Sequence, residues 1–279
     1  MFDAVVLSGG GWNGLLSIGS LVHIFETCNI NQIHTFVGTS SGAIICYLLC
    51  IGFCLSEIIE NIFDMKLYEL FNKNNTENYL ALFQDKYVYD FSKTVGEVLK
   101  KLTFKKMTSI PTLLELYHYT NKEFICYSYS MSLRKTVKIS KDTHPNLNCL
   151  KAVQMSCSIP LFFDKCFYDG NLYIDGGLIE NFPLTPKLDI PSTLGIVLEY
   201  SPHSKETGES VTEYLFEIFS IMHNEIQSKK IDNSKGACIV KLRTIETGIG
   251  SCGIKKVLRT IAEGYTRCKC LSNRNFILV

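Results

Sequence analysis

The amino-acid sequence has no excess of charge of either sign and no hydrophobic run long enough to cross a bilayer. Its 28 basic and 27 acidic residues leave a formal net charge of +1, which argues against a nucleic-acid-binding footprint. The longest apolar run, from Ala43 to Leu55, falls short of the about 20 residues that a membrane-spanning helix needs. We therefore expect a core helix there and no transmembrane span.

Metal-binding and targeting patterns are also missing. The sequence contains neither paired C-x-x-C motifs nor H-E-x-x-H, and the C-K-C run at 268–270 has the wrong spacing for a zinc knuckle. Three of the 12 cysteines, Cys46, Cys50 and Cys54, fall within the apolar helical segment, which favours reduced, buried thiols over a disulfide scaffold. The chain opens directly on a predicted strand, without a secretory signal. We expect a cytoplasmic protein with no metal and no cofactor.

Nearly half of the chain is hydrophobic (46%), which is enough for a sizeable buried core. A strand over 3–8, a helix over 14–28, a strand over 34–37 and a second helix follow one another, and this order favours a parallel sheet with helices on both faces. We predict an α/β fold, a three-layer sandwich with a mostly parallel central sheet. It forms a single domain over 1–279, with its core over about 3–200 and closing helices over 211–273.

The remaining elements are predicted from periodicity and turn residues. Helices are expected near 55–70, 89–102, 111–119, 148–156, 211–230 and 254–272, and strands at 123–131, 135–139, 171–174, 194–200 and 237–242. The segment 72–77 is predicted to be a polar linker, and 201–210 is predicted to be a polar, mobile segment.

A G-x-S-x-G motif lies between a predicted strand and a predicted helix, and consists of Gly38, Thr39, Ser40, Ser41 and Gly42. A nucleophile elbow requires this context, because the sharp strand-to-helix turn exposes the central serine hydroxyl. The N-terminus of the following helix directs its N–H groups and its dipole at the negative charge that develops beside this serine. The pattern predicts a serine hydrolase with Ser40 as the nucleophile, since Ser41 is not at the apex. The alternative is a tight turn with an N-capping serine.

A glycine-rich loop follows the first strand, and its residues are Gly9, Gly10, Gly11, Trp12, Asn13 and Gly14. The loop matches the G-x-G-x-x-G pattern of dinucleotide-binding folds, but that function needs an acidic residue at the end of the second strand, where this chain has its serine elbow. We favour an oxyanion hole, in which backbone N–H groups of the loop stabilise developing negative charge. Trp12 is either a lipid-facing anchor or a buried aromatic residue.

An aspartate followed by two glycines ends another apolar strand, at Asp175, Gly176 and Gly177. Such a sequence is commonly a turn. The serine elbow needs a general base, however, and Asp175 is expected at the same edge of the sheet. A histidine base would follow the aspartate in a triad of this sheet type, which leaves His203 and His223 as alternatives. Neither histidine lies in a motif, and His203 is the better candidate of the two.

Together these motifs resemble the patatin-like phospholipase family, from the first strand through at least Tyr200. The glycine-rich loop, the elbow and the D-G-G element match in order, and so do the flanking segments at 156–163 (S-C-S-I-P-L-F-F) and 180–184 (E-N-F-P-L). The resemblance implies a Ser–Asp dyad without histidine and calcium-independent cleavage of lipid acyl esters. Asp175 would then take the proton of Ser40, and Gly176 or Gly177 N–H would hold the carboxylate.

One position departs from the family pattern, because Asn13 stands where the family usually has Arg or Lys. A fixed positive charge beside the oxyanion loop is therefore missing, unless another basic residue replaces it. This departure motivates the alternative of a weakly active, lipid-binding pseudoenzyme. A further alternative is acyl transfer to an alcohol or lysolipid, which shares the same acyl-enzyme.

The expected partner is a phospholipid or other acyl-lipid substrate, with no nucleic acid. The basic pairs at 100–101, 105–106, 229–230 and 255–256 are most simply solvated helix faces, and contact with an anionic lipid surface is the other interpretation. Apolar and basic helix faces together predict reversible adsorption to membranes. The segments at 55–71 and 79–102 are candidates for a lid.

Overall fold

The computed structural model describes residues 2–71, 89–184, 192–200, 221–229, 231, 237–244 and 252–272. Within these ranges eight strands form one sheet: β1 (Ala4–Leu7), β2 (Thr35–Gly38), β3 (Glu123–Ser130), β4 (Lys135–Ile139), β5 (Cys166–Tyr168), β6 (Asn171–Asp175), β7 (Thr193–Tyr200) and β8 (Cys238–Thr244). The α-helices are α1 (Gly14–Phe25), α2 (Ser41–Cys50), α3 (Leu55–Asp64), α4 (Glu97–Lys106), α5 (Leu113–Thr120), α6 (Cys149–Cys157) and α7 (Ile254–Ser272), and residues 221–229 are also helical.

The strand order is β5-β6-β3-β2-β1-β7-β8, and β4 pairs with β3. Five neighbouring strands are parallel to one another: β3, β2, β1, β7 and β8. Strands β4, β5 and β6 run antiparallel to the strands with which they pair. This arrangement confirms the predicted α/β fold with a mostly parallel sheet. The short β5 was not predicted, because its three residues carry too little pattern.

Both faces of the sheet are buried. Side chains alternate between the faces of a strand, so Val5 and Leu7 of β1 join the larger core cluster, and Val6 joins the smaller one. Helices α1, α2, α6 and α7 contribute to the larger cluster, whereas Ile231, just after the helical residues 221–229, belongs to the smaller one. Helices therefore cover both faces, as predicted.

Helices α1 and α7 pack very closely. A Cβ at Gly19 would overlap the backbone of Ile261, and a Cβ at Gly264 would overlap the backbone of Leu16. Glycine at both positions lets the two backbones touch, which holds the middle of α7 against the first half of α1.

The apolar run from Ala43 to Leu55 is not one helix. Helix α2 ends at Cys50, Gly52 follows with a φ of 96°, and α3 begins at Leu55. Among the described helices, none has by itself the length and hydropathy of a membrane span; the bent pair α2 and α3, at 117°, reaches them only when counted together. The predicted helix over 55–70 is a shorter α-helix followed by a 3-10 turn at Leu67–Glu69.

Some predictions lie outside the described residues. They are the polar linker at 72–77, the polar segment at 201–210 and most of the predicted helix over 211–230. The assignment of 1–279 to a single domain stays a prediction.

The ends of β2 and β6 meet on the same edge of β3. Gly38 at the end of β2 pairs with Cys126, and Asp175 at the end of β6 pairs with Ser128. Strand β4 occupies the other edge of β3 at both positions, so β2 and β6 share one edge. Because β2 runs parallel and β6 antiparallel to β3, their C-terminal ends point at each other. The residues that follow the two strands are thereby brought together.

Candidate active site

Ser40 occupies the sharp turn between β2 and α2, with a φ of 53° and a ψ of −125°. A positive φ at a residue other than glycine costs of order 1–3 kcal/mol, so the surrounding structure must hold it. The turn is tight: a Cβ at Gly38 would overlap the backbone of Gly42, and a Cβ at Gly42 would overlap the end of β1. Ser40 N–H also donates a hydrogen bond to Ser156 Oγ at 3.0 Å. The turn is therefore fixed from several sides.

The hydroxyl of Ser40 and the carboxylate of Asp175 are in direct contact. Ser40 Oγ donates a hydrogen bond to Asp175 Oδ2 at 2.6 Å, and Gly177 N–H donates to Asp175 Oδ1 at 2.6 Å. Both side chains are buried, with 7% and 4% of their surface exposed. Burial raises the pKa of Asp175 to about 6, against the lowering effect of the two hydrogen bonds. The carboxylate can therefore exchange a proton near neutral pH.

Of the two histidine alternatives, His223 lies behind the aspartate loop rather than against the serine. Its Nδ1 is 2.8 Å from Gly177 O, and since a carbonyl only accepts, Nδ1 carries the proton. Its buried Nε2 has no partner in the described part of the chain, and burial lowers the pKa of His223 to about 4, so the ring is neutral at pH 7. Tyr200 packs edge-on against the ring. His203 lies outside the described residues.

The glycine-rich loop is tied to the chain after β6 by one side chain. Asn181 Oδ1 accepts from Gly9 N–H at 2.9 Å, and Asn181 Nδ2 donates to Gly9 O at 3.1 Å. The sequence placed Asn181 in a matching segment but gave it no role. Gly9 N–H is thus occupied, as are Asn13 N–H and Gly14 N–H within their helical turn.

Gly10 and Gly11 have N–H groups with no hydrogen-bond partner among the described residues. Gly11 has a φ of 56°, a conformation that glycine adopts without strain. Gly10 and Gly11 therefore have donors left for a ligand.

An apolar cavity of about 190 Å³ begins beside the serine. Gly11, Ser41 and Cys157 line it, and Cys157 interacts with Ser40. Its other walls are apolar side chains of α1 to α4, of the segments between them and of the segment after α6, including Leu15, Ile45, Ile58, Phe71, Val98 and Phe162. Trp12 is half-buried in this wall, with its ring centroid 6.3 Å from that of Phe71. The cavity can hold a hydrocarbon chain but offers little to a polar ligand.

The described residues contain neither a disulfide nor a cluster of metal ligands. All 12 cysteines are free, and most are buried. Over the described ranges, no cluster of three or more His, Cys, Asp or Glu side chains could hold a metal ion.

Comparison with known proteins gives a family match and two curated relatives. Residues 5–187 match the family model described as patatin-like phospholipase. The chain is 31% identical over 192 residues to "Probable lipid hydrolase 463L" of Invertebrate iridescent virus 6, covering 66% of this chain and 62% of that protein. It is 30% identical over 194 residues to "Uncharacterized protein R571" of Acanthamoeba polyphaga mimivirus, covering 69% of this chain and 64% of that protein. The matches thus span less than two thirds of either relative's length.

Two solved structures share the fold at low identity. VipD from Legionella pneumophila gives a TM-score of 0.60 at 17% identity, with 98% of this chain and 67% of that chain covered. ExoU in its complex with SpcU from Pseudomonas aeruginosa gives a TM-score of 0.55 at 16% identity, with 99% and 52% covered. These similarities support the α/β architecture and nothing finer.

Proposed function

Because the chain belongs to the patatin-like phospholipase family, we propose that it is a lipid acyl hydrolase that cleaves fatty-acyl esters through an acyl-enzyme on Ser40. The observation that carries this proposal is the 2.6 Å hydrogen bond from Ser40 Oγ to Asp175 Oδ2, made beside an apolar cavity that Ser41 and Cys157 line. A nucleophile, a base and a space for an acyl chain therefore adjoin one another.

In the first half-reaction, Ser40 Oγ attacks the carbonyl carbon of the ester and its proton passes to Asp175. The raised pKa of this carboxyl, about 6, makes it a better base than an exposed aspartate and leaves it ionised at pH 7. Asp175 then gives the proton to the departing alcohol as the tetrahedral intermediate collapses. The products are the free alcohol and the acylated serine.

In the second half-reaction, water replaces the alcohol. Asp175 takes a proton from the water, whose oxygen attacks the acyl carbon. The proton returns to Ser40 Oγ as the fatty acid leaves. Gly177 N–H keeps Asp175 Oδ1 occupied at 2.6 Å, so that Oδ2 faces the serine in both steps.

Negative charge on the carbonyl oxygen needs donors in place before it develops. The N–H groups of Gly10 and Gly11 are candidates, because they have no hydrogen-bond partner among the described residues. One well-placed donor of this kind lowers the barrier by about 3–4 kcal/mol. Asn181 holds the loop from which they point and acts as a positioning residue.

The test combines covalent labelling with product release. A fluorophosphonate probe is expected to label the wild-type protein and not Ser40→Ala. Release of fatty acid from a short-chain ester should fall at least a thousandfold in Ser40→Ala and Asp175→Asn. Ser56→Ala and Asp142→Asn remove an exposed serine and an exposed aspartate, and serve as matched controls with unchanged activity.

Two outcomes would contradict the mechanism. Normal activity in Asp175→Asn would show that another group is the general base. Labelling of Ser40→Ala equal to that of the wild type would show that Ser40 is not the nucleophile. A folded wild-type protein that resists the probe would favour the pseudoenzyme alternative. Product analysis with and without added glycerol separates hydrolysis from acyl transfer.

A further inference from the structure

A second recess, a basic groove of about 380 Å³, lies on the other side of the glycine-rich loop from the apolar cavity. Asn13 and Leu16 form one wall, and the end of β8 and residues 255–267 of α7 form the other. The described lining contains one carboxylate, Glu263, and five basic side chains: Arg243, Lys255, Lys256, Arg259 and Arg267. This concentration of positive charge stands out in a chain whose net charge is only +1.

The cations of the groove are only partly neutralised. Glu263 pairs with Arg259 at 2.9 Å and with Arg267 at 3.4 Å. Arg243 and Lys255 are exposed and have no ion-pair partner among the residues that the structure describes. The groove therefore keeps an excess of positive charge toward solvent, which favours an anionic ligand.

The floor of the groove adds a hydroxyl. Thr244, the last residue of β8, is 2% exposed and lines the groove. Its Oγ1 has no hydrogen-bond partner within the described ranges. A hydroxyl among arginine and lysine side chains suits the oxygens of a phosphate group.

The groove opens at the same edge of the sheet as the serine turn. Thr244 ends β8 as Gly38 ends β2, and the two strands are parallel members of one sheet. Strands β1 and β7 lie between them, which places β8 roughly 14 Å from β2 at ~4.8 Å per strand. A lipid layer that faces this edge could therefore contact both the groove and the serine turn, with a different lipid molecule at each.

Exposed apolar side chains beside the groove favour a lipid surface over a free anion. Ile254 and Leu258, one turn apart on α7, are 45% and 54% exposed. Lys255 and Arg259 form the adjacent row of the same helix. Apolar and basic rows side by side at a helix start are typical of helices that lie in a membrane interface. Binding of a nucleic-acid backbone depends on basic side chains and does not require the exposed apolar row.

From this arrangement we infer that the groove between Asn13, Thr244 and the start of α7 binds the phosphate of an anionic lipid headgroup in the membrane surface. The bound lipid is a neighbour of the one being cleaved, and it holds the serine edge of the sheet against the bilayer. The cations come from β8 and α7 rather than from the loop position that Asn13 occupies. The inference concerns binding, and it can be tested with Ser40 replaced.

The experiment uses Ser40→Ala, so that vesicles stay intact, and compares phosphatidylcholine vesicles with and without phosphatidic acid. Arg243→Gln/Lys255→Gln in this background is expected to bind the anionic vesicles about thirtyfold more weakly (about 2 kcal/mol), since each basic residue at such a surface contributes about 1 kcal/mol. The matched control, Lys100→Gln/Lys101→Gln, removes the same charge from an exposed basic pair on α4 and should bind as before. With Ser40 intact, the groove variant should cleave a short-chain ester normally, which shows that it is folded.

Three results would overturn the inference. If the groove variant and the α4 control lost equal affinity for anionic vesicles, binding would depend on the overall electrostatic field of the protein and not on the groove. Groove-dependent thermal stabilisation by inorganic phosphate, without vesicle binding, would assign the site to a free phosphate. Groove-dependent binding of a short oligonucleotide, without vesicle binding, would assign it to nucleic acid.

Discussion

The turn from Gly11 to Asn13 separates two very different environments. Gly11 and Trp12 line an apolar cavity enclosed by helices, whereas Asn13 lines the basic groove between α1 and α7. On the cavity side, burial controls the chemistry and shifts the pKa of Asp175. On the groove side, exposed charges act through a field that salt screens. One short turn can therefore serve both an acyl chain and a charged surface.

A first prediction tests the cavity. Val98 is half-buried in its wall, and Val98→Trp would fill part of the space. Displacing about two methylene groups of an acyl chain costs about 1.6 kcal/mol, so kcat/KM for a long-chain ester should fall about fifteenfold. Hydrolysis of a short-chain ester and binding to anionic vesicles should not change. An equal loss with short and long chains would indicate that the cavity does not hold the acyl chain.

A smaller effect is expected from pH, on the cavity side alone. Asp175 must be ionised to act as a base, and its pKa is about 6. The kcat/KM for a short-chain ester should therefore fall about tenfold between pH 8 and pH 5, with a midpoint near pH 6. Added salt should leave this rate within about twofold while it weakens vesicle binding. A rate that stays constant down to pH 5 would contradict the assignment of Asp175.

A third prediction concerns stability. The folded-state pKa of Asp175 is raised, so its favourable contribution is complete below about pH 4 and is lost as pH rises through about 6. At pH 8 the buried carboxylate costs about 3 kcal/mol, judged from that shift. Asp175→Asn should then melt a few degrees above the wild type at pH 8, and this advantage should shrink at pH 4.5. A variant that is less stable at both pH values would show that the hydrogen bonds outweigh desolvation.

Local patterns predicted most of the elements that form the site. The strand before Gly9 and the strand before Ser40 lie within a residue of their expected positions, and the helix after Ser40 begins within two residues of its expected start. Short-range sterics and side-chain periodicity fix such elements, so a single sequence carries enough information. The helix predicted from the apolar run after Ser40 was too long, because the chain leaves the helix before Gly52, which has a positive φ.

Other features of the site have no local signal. His223 sits in an ordinary amphipathic helix, and nothing in its neighbours indicates the hydrogen bond to Gly177 O. The link between Asn181 and Gly9 spans 172 positions of the chain. The groove joins Asn13 to basic residues of β8 and α7, which in sequence look like ordinary solvated faces.

The sequence by itself determined that this protein has a serine elbow, a glycine-rich loop and an aspartate turn in the order of one family, because each is a short motif with its own backbone requirements. Only the tertiary structure decided that Ser40 and Asp175, 135 positions apart, meet at 2.6 Å. That contact depends on β2 and β6 sharing one edge of β3 and running toward each other. Strand pairing of this kind is set by long-range packing, and no local pattern encodes it.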